Sequence, residues 1–334
     1  METIKFIHYT DVHVQENNPQ SRKGSYLDDI LAKLHKIGAY AKKYEADFTV
    51  CGGDLFNIKR PDHNTHRMVY RVIGALNSMG ENNFIVPGNH DIRFDREATL
   101  SEQPLGVLIE SGVLRLLRDE TWRKAGLSVN YRAYPFEEEP DFSTMVLDKK
   151  ECDVNILGLH IYATPKGGDM FGTKLHSYEE VSNTGHDIYT FGHYHKDQGV
   201  QELEHRGFKQ TFVNVGSVSR GDYGDENVNR VPKCCLVTIS KDDDGNITQE
   251  FKELELEAKP AEDVFDLDKK ERKVKQEEEA SKFAAELEKA AKEKDGGDAS
   301  IDGELQSLDI NEAVKTRTKE YLARAHELSK GSKL

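Results

Sequence analysis

Cysteine is scarce. The chain of 334 residues has four, Cys51, Cys152, Cys234 and Cys235, and no two stand in a C-x-x-C spacing. Zinc-ribbon and thioredoxin-type sites therefore lack support, and a reduced, cytoplasmic setting is the expectation. Long apolar runs are missing too. No stretch approaches the length of a helical membrane span, and the apolar Ile4–Ile7 run starts too early and is too short for a signal peptide. There is no basic surplus: the formal net charge is −14. A generic nucleic-acid coat needs such a surplus. A nucleic-acid enzyme does not, because its carboxylates can serve as metal ligands and a tail can carry the excess. Internal repeats are absent.

Hydrophobic residues make up 37% of the chain and charged residues 32%, which points to a solid core in one part and a solvated remainder. Thr3–Tyr9 reads as a strand ending in Thr10-Asp11-Val12-His13. Leu27, Ile30, Leu31, Leu34, Ile37 and Ala41 recur at helical spacing over 26–43. Asp47–Cys51 is a second strand, closed by Gly52-Gly53-Asp54, and another helix is expected over 63–79. Phe84-Ile85-Val86 then leads into Pro87-Gly88-Asn89-His90-Asp91. Strand, polar tip, helix and strand in alternation predict a mixed or parallel sheet. Ligands gather outside the carboxyl ends of such strands, so the three tips should open onto one edge.

Further strands are expected over 127–134, 154–160, 188–191, 209–215 and 233–240, with Asp242–Asn246 as a hairpin turn. Composition breaks near Lys259-Pro260, after which both charge signs are dense, and apolar spacing returns over 301–328. The expected organisation is a domain over 1–258, a charged linker or solvated helix over 259–298, and an amphipathic helical segment over 299–334.

Five polar clusters end apolar runs: Asp11 with His13, Asp54, Asn89 with His90, His160, and His193 with His195. Each on its own is as compatible with a turn or a core histidine as with a site. Together they are the carboxylate, amide and imidazole donors of divalent metals. In extended backbone, residues i and i+2 point the same way, so Asp11/His13 and His193/His195 can each aim two ligands at one place.

The ordered set Asp11-Val-His13, Gly53-Asp54, Gly88-Asn89-His90-Asp91, His160 and Gly192-His193-Tyr-His195 resembles the calcineurin-like metallophosphoesterase signature. The resemblance covers about residues 3 to 240. It implies an α/β fold: a two-sheet β-sandwich flanked by helices, here with a helical C-terminal tail. It also implies two divalent ions, manganese first and magnesium second. Asp11, His13, Asp54 and His195 would hold one ion, and Asp54, Asn89, His160 and His193 the other, with Asp54 bridging. His90 would sit beside the scissile phosphate as the catalytic residue, and an activated water would attack phosphorus in line.

Gly52-Gly53-Asp54-Leu55-Phe56, with Pro61 seven residues after Asp54, is similar to SbcD-type nucleases of DNA double-strand-break repair and recombination. Several of those carry histidine where this chain has Asn57. That likeness implies an exo/endonuclease subunit acting on DNA, in a compact form like those encoded by phages. It also implies docking on a coiled-coil, SMC-like ATPase of the SbcC kind through residues 299–334. Relatives of this kind are often homodimers. A small-molecule phosphodiesterase or phosphatase is the rival among enzymes, and a scaffold acting through its tail the rival outside them.

Overall fold

The computed structural model describes residues 2–268, except 20–21, 95, 148–151, 171 and 222–223, together with 271–272, 275, 282 and 319. One compact unit is Met1–Phe265 and a second is Asp266–Leu334. The first runs past the break at Lys259-Pro260 because Val264 and Phe265 are buried in it. The partner-binding segment expected over 299–334 lies outside the described residues, Lys319 apart.

Two six-stranded sheets stack face to face. In spatial order the first is Ile247–Glu255, Lys233–Lys241, Glu2–Tyr9, Phe48–Cys51, Asn83–Ile85 and Arg115–Leu116. Its last four strands are mutually parallel, and its first two are antiparallel. The second sheet is Gly199–His205, Phe208–Asn214, Ile188–His193, Val154–Ile161, Leu127–Tyr134 and Asp119–Lys124, with four parallel strands between two antiparallel edges. A small sheet of Ala163–Thr164, Thr173–Ser177 and Gly168–Met170 stands apart.

Helix α1, Tyr26–Tyr44, starts at Ser25, whose hydroxyl accepts the Asp28 N–H. Asp28 and Asp29 sit in its first turn, Lys42 and Lys43 in its last, as the helix dipole favours. Helix α2 is shorter than its apolar spacing suggests, His66–Asn77, because Pro61–His63 forms a separate 3-10 turn and Thr65 caps the helix. A short α3, Pro104–Glu110, follows. Among the described residues no helix is long and apolar enough to cross a membrane.

Strand alternation sorts the core into layers. Ile4, Phe6, Phe48 and Val50 face Val129, Tyr131, Ile156 and Val213 between the sheets. Ile7, Tyr9 and Ile85 face the apolar sides of α1 and α2. On the far side of the second sheet, Leu157, Leu159, Tyr189 and Phe212 pack on Tyr178 and Val181. The result is the expected sandwich of two sheets flanked by helices. The carboxyl ends of Glu2–Tyr9, Phe48–Cys51, Asn83–Ile85 and Ile188–His193 all carry the predicted polar tips.

Candidate metal centre

The strand-end loops are stitched to one another before any side chain acts. Beyond Tyr9 and Cys51, Gly52 N–H donates to Tyr9, Asp11 to the Gly53 carbonyl, His13 to Asp54, Val14 to Leu55, and Asn57 to Val14, all at 2.7–3.0 Å. Asp91 ties in the third loop: its buried carboxylate accepts from Leu55 N–H at 3.1 Å, Phe56 N–H at 3.4 Å and Gly88 N–H at 3.0 Å. Burial, and then the nearby charge of Asp54, push Asp91 up to about 7.

All eight predicted residues reach this centre. Asp11, His13 and His195 form one group with donor atoms within 4.8 Å of one another; Asp54, His160 and His193 form a second; His13, Asp54 and His90 form a third. Asp54 Oδ2 stands 3.3 Å from His160 Nε2 and 3.8 Å from His13 Nε2, while its Oδ1 accepts the His90 N–H at 2.8 Å. His195 Nε2 lies 3.4 Å from Asp11 and 2.9 Å from His13 Nε2, with its side chain 49% exposed. Asn89 joins through a buried Oδ1 and lines a cavity with His193.

The convergence of Asp11 with His13 does not come from extended backbone, as the i, i+2 spacing suggests. Asp11, His13, Asp54 and His193 have φ of 53°, 50°, 51° and 81°. Left-handed backbone at residues other than glycine costs about 1–3 kcal/mol each and persists where the surroundings enforce it, characteristically at functional sites. Packing is equally tight. A Cβ on Gly53 would meet His160 Nδ1 at 2.1 Å, and one on Gly88 would meet Asp54 Oδ1 at 2.2 Å. Only a residue without Cβ lets these loops approach.

Hydrogen bonds set the imidazoles. His160 Nδ1 lies 2.7 Å from the Gly52 carbonyl and donates its proton there, while Nε2 faces Asp54 Oδ2 at 3.3 Å and would present a lone pair to a metal on losing its own proton. His90 Nδ1 is likewise 2.6 Å from the Asn57 carbonyl, leaving Nε2 at the site. Burial raises the Asp11 and Asp54 carboxyls, but the surrounding histidines outweigh it and hold both below the usual carboxylate range. Burial lowers His13 to about 4 and, with the charge of His160, His193 to about 3, so both are neutral donors. Burial also disfavours charge on His160, yet Asp54 and Asp11 lift it to about 9.

Two buried atoms test whether metal suits the site. Among the described residues Asn89 Oδ1 has no hydrogen-bond partner, and His160 Nε2 has only the Asp54 carboxylate near it, at 3.3 Å and outside good hydrogen-bond geometry. A buried polar atom normally finds a partner, and amide oxygen and imidazole nitrogen are metal donors. The donor set fits divalent cations.

Sequence reasoning missed Lys59, Tyr162 and Phe136 as neighbours of the site. Lys59 Nζ donates to the Asn89 carbonyl at 3.0 Å, and its place in the Gly53–Pro61 motif was the available signal. The Tyr162 ring lies 3.8 Å from that of His193, and the Phe136 ring 5.0 Å from it. The turn after 213 braces the metal loop: Ser217 Oγ donates to the Asp11 carbonyl at 2.7 Å, and Gly216 passes against the His195 carbonyl. Ser217 is buried, with its hydroxyl engaged by the Asp11 carbonyl and the Ser219 N–H, so it supports backbone.

Among solved structures, a protein assigned as a 5′-nucleotidase from Staphylococcus aureus, in complex with alpha-ketoglutarate, superposes with a TM-score of 0.51 at 14% identity. The match covers 77% of this chain and 55% of that one, so this chain corresponds to little more than half of it. A 5′-nucleotidase precursor from Thermus thermophilus gives 0.46 at 11% identity, over 76% and 54% of the two chains. At such identities a likeness concerns the fold. The profile of the family described as calcineurin-like phosphoesterase matches residues 4–197, which is more than half of the chain and includes all eight residues gathered here. This chain belongs to the calcineurin-like phosphoesterase family.

Proposed function

We propose that this protein is a dinuclear-metal phosphodiesterase acting on DNA. Asp11, His13, Asp54 and His195 would hold one ion, and Asp54, Asn89, His160 and His193 the other. Manganese or magnesium suits the oxygen-rich donors, and manganese also accepts the imidazoles. Bound divalent ions supply charge neutralisation at phosphate and acidify water. The chain supplies orientation: Asp54 offers both oxygens, and the Asn57 carbonyl fixes His90 so that Nε2 can hydrogen-bond or protonate the leaving oxygen.

The observation that supports a polynucleotide substrate is the hairpin just past His90. Phe94, at its tip, is 80% exposed and has φ of 54°. The Arg93 guanidinium lies 5.9 Å from its ring, and Arg93 bridges to the exposed Arg96. Thr99 staples the hairpin, accepting from Arg93 N–H and donating to the Arg96 carbonyl. An exposed aromatic between two arginines suits base stacking and phosphate contact. Four residues span at most about 14 Å, so the tip is within roughly four duplex base steps of His90.

A second possibility has its own support. Lys59, Asn89, Phe136, Tyr162 and His193 line a cavity of about 500 Å³, a size suited to a small diester. The manganese-loaded protein should degrade linear DNA and hydrolyse bis-p-nitrophenyl phosphate. Phe94→Ala should slow DNA cleavage about tenfold, as loss of one stacked base implies, and spare the small diester. Robust small-diester hydrolysis with no cleavage of any DNA form would overturn the DNA assignment in favour of the small-molecule one.

The same proposal gives residues 299–334 to an SMC-like ATPase. Deleting them should abolish ATPase pull-down while small-diester hydrolysis continues; a pull-down that survives the deletion would remove this partner.

A further inference from the structure

A cavity of about 670 Å³ opens between Arg22, α1 and the segment following Ile247–Glu255. Five cations and three carboxylates line it, a positive balance in a chain of net charge −14. Most of these charges are engaged. Lys36 pairs with Glu257 at 2.9 Å and Lys259 with Asp29 at 2.8 Å. The Arg220 guanidinium donates to the carbonyls of Asn227, Lys259 and Val228.

Two buried cations keep donor capacity to spare. Lys33 is 5% exposed, and its ammonium, which carries three donors, has one acceptor among the described residues, the Val218 carbonyl at 2.9 Å. The Arg22 side chain is 3% exposed. Its terminal nitrogens donate to the Arg220 carbonyl and to Asp29, but its buried Nε has no partner among the described residues. Burial, with the charges of Arg22, Arg230 and Arg220, pushes Lys33 down to about 7. A buried donor left without an acceptor is destabilising, and none of the cavity's carboxylates accepts from Lys33 Nζ or Arg22 Nε.

We infer that this cavity binds a compact oxyanion, inorganic phosphate or the phosphate group of a nucleotide, through Lys33 Nζ and Arg22 Nε. A guanidinium N–H and an ammonium lining one cavity are donors that recognise phosphate, and its volume has room for a mononucleotide. The site shares no residue with the metal centre. It adjoins it, because the Val218 carbonyl held by Lys33 belongs to the turn whose N–H groups donate to Thr10 at 3.0 Å and Asp11 at 3.2 Å.

Inorganic phosphate titrated calorimetrically into the metal-loaded full chain should show two classes of site. EDTA should remove one and leave the other. The remaining class should weaken about tenfold in Lys33→Met and in Arg22→Lys, the latter keeping positive charge while losing the Nε–H. Circular dichroism checks that each variant is folded, and Arg22→Lys decides alone if Lys33→Met does not fold. A 5′-mononucleotide that binds this class more tightly than phosphate assigns it to nucleotide; equal binding assigns it to phosphate itself. No saturable heat after EDTA, or unchanged affinity in the folded variants, overturns the site.

Discussion

Asp54→Asn should strip the protein of metal and lower kcat/KM roughly 10³-fold, about 4 kcal/mol of transition-state stabilisation. Asp54 is the one carboxylate common to two of the donor groups, with Oδ2 near both His160 and His13 and Oδ1 held by the His90 N–H. Asparagine keeps one oxygen and removes the charge. It is also the cleaner substitution on backbone grounds, because φ at this position is 51° and asparagine tolerates left-handed backbone where alanine adds strain. An Asn variant that loses metal therefore does so for want of charge and not through a misfolded loop. Elemental analysis after dialysis reads metal content, and bis-p-nitrophenyl phosphate hydrolysis reads activity. Metal content equal to that of the unmodified chain would refute the bridging role.

The buried parts of this molecule were legible in the sequence, because burial writes a periodic pattern. Leu127–Tyr134 and the helix beginning at Tyr26 match their expected limits, or nearly so, since each has a continuous apolar face. The edge strands left no such trace. Asp119–Lys124 exposes nearly every side chain except Trp122, whose ring stacks on Phe48 at 3.8 Å, and Gly199–His205 and Ile247–Glu255 are likewise polar. An edge strand packs on one side or on none, so its composition follows solvent. At the site, donor identity survived translation into structure, but the geometry did not. The left-handed residues at Asp11, His13 and Asp54 arise from hydrogen bonds between loops 36 or more residues apart, which no local pattern encodes. Asp91 is the same case: its three N–H partners lie in two loops, and it caps no helix. Lys33 shows the converse, a residue on the buried face of α1 that its charge alone would place in solvent.

His90→Ala should leave metal content unchanged and reduce kcat about 10²- to 10⁴-fold, the range of a lost general acid. The two expectations pull apart because of how His90 is tethered. Its contact with Asp54 is through the backbone N–H, which alanine retains, so the Asp54 carboxylate stays oriented. What disappears is the ring, held by the Asn57 carbonyl at 2.6 Å and set edge-on to His13 at 4.9 Å. The ring also lies close enough to His13 and Asp54 to hold an ion, so ligation is the alternative role. Metal analysis separates the two: a variant that loses metal along with turnover makes His90 a ligand. Leaving-group dependence supplies the second discriminator. A proton donor matters most when the departing oxygen is basic, so the variant should lose more on an alkyl ester than on a p-nitrophenyl ester, whose phenolate leaves without help. Equal losses on both esters, with metal retained, would move His90 from proton transfer to charge stabilisation at phosphate.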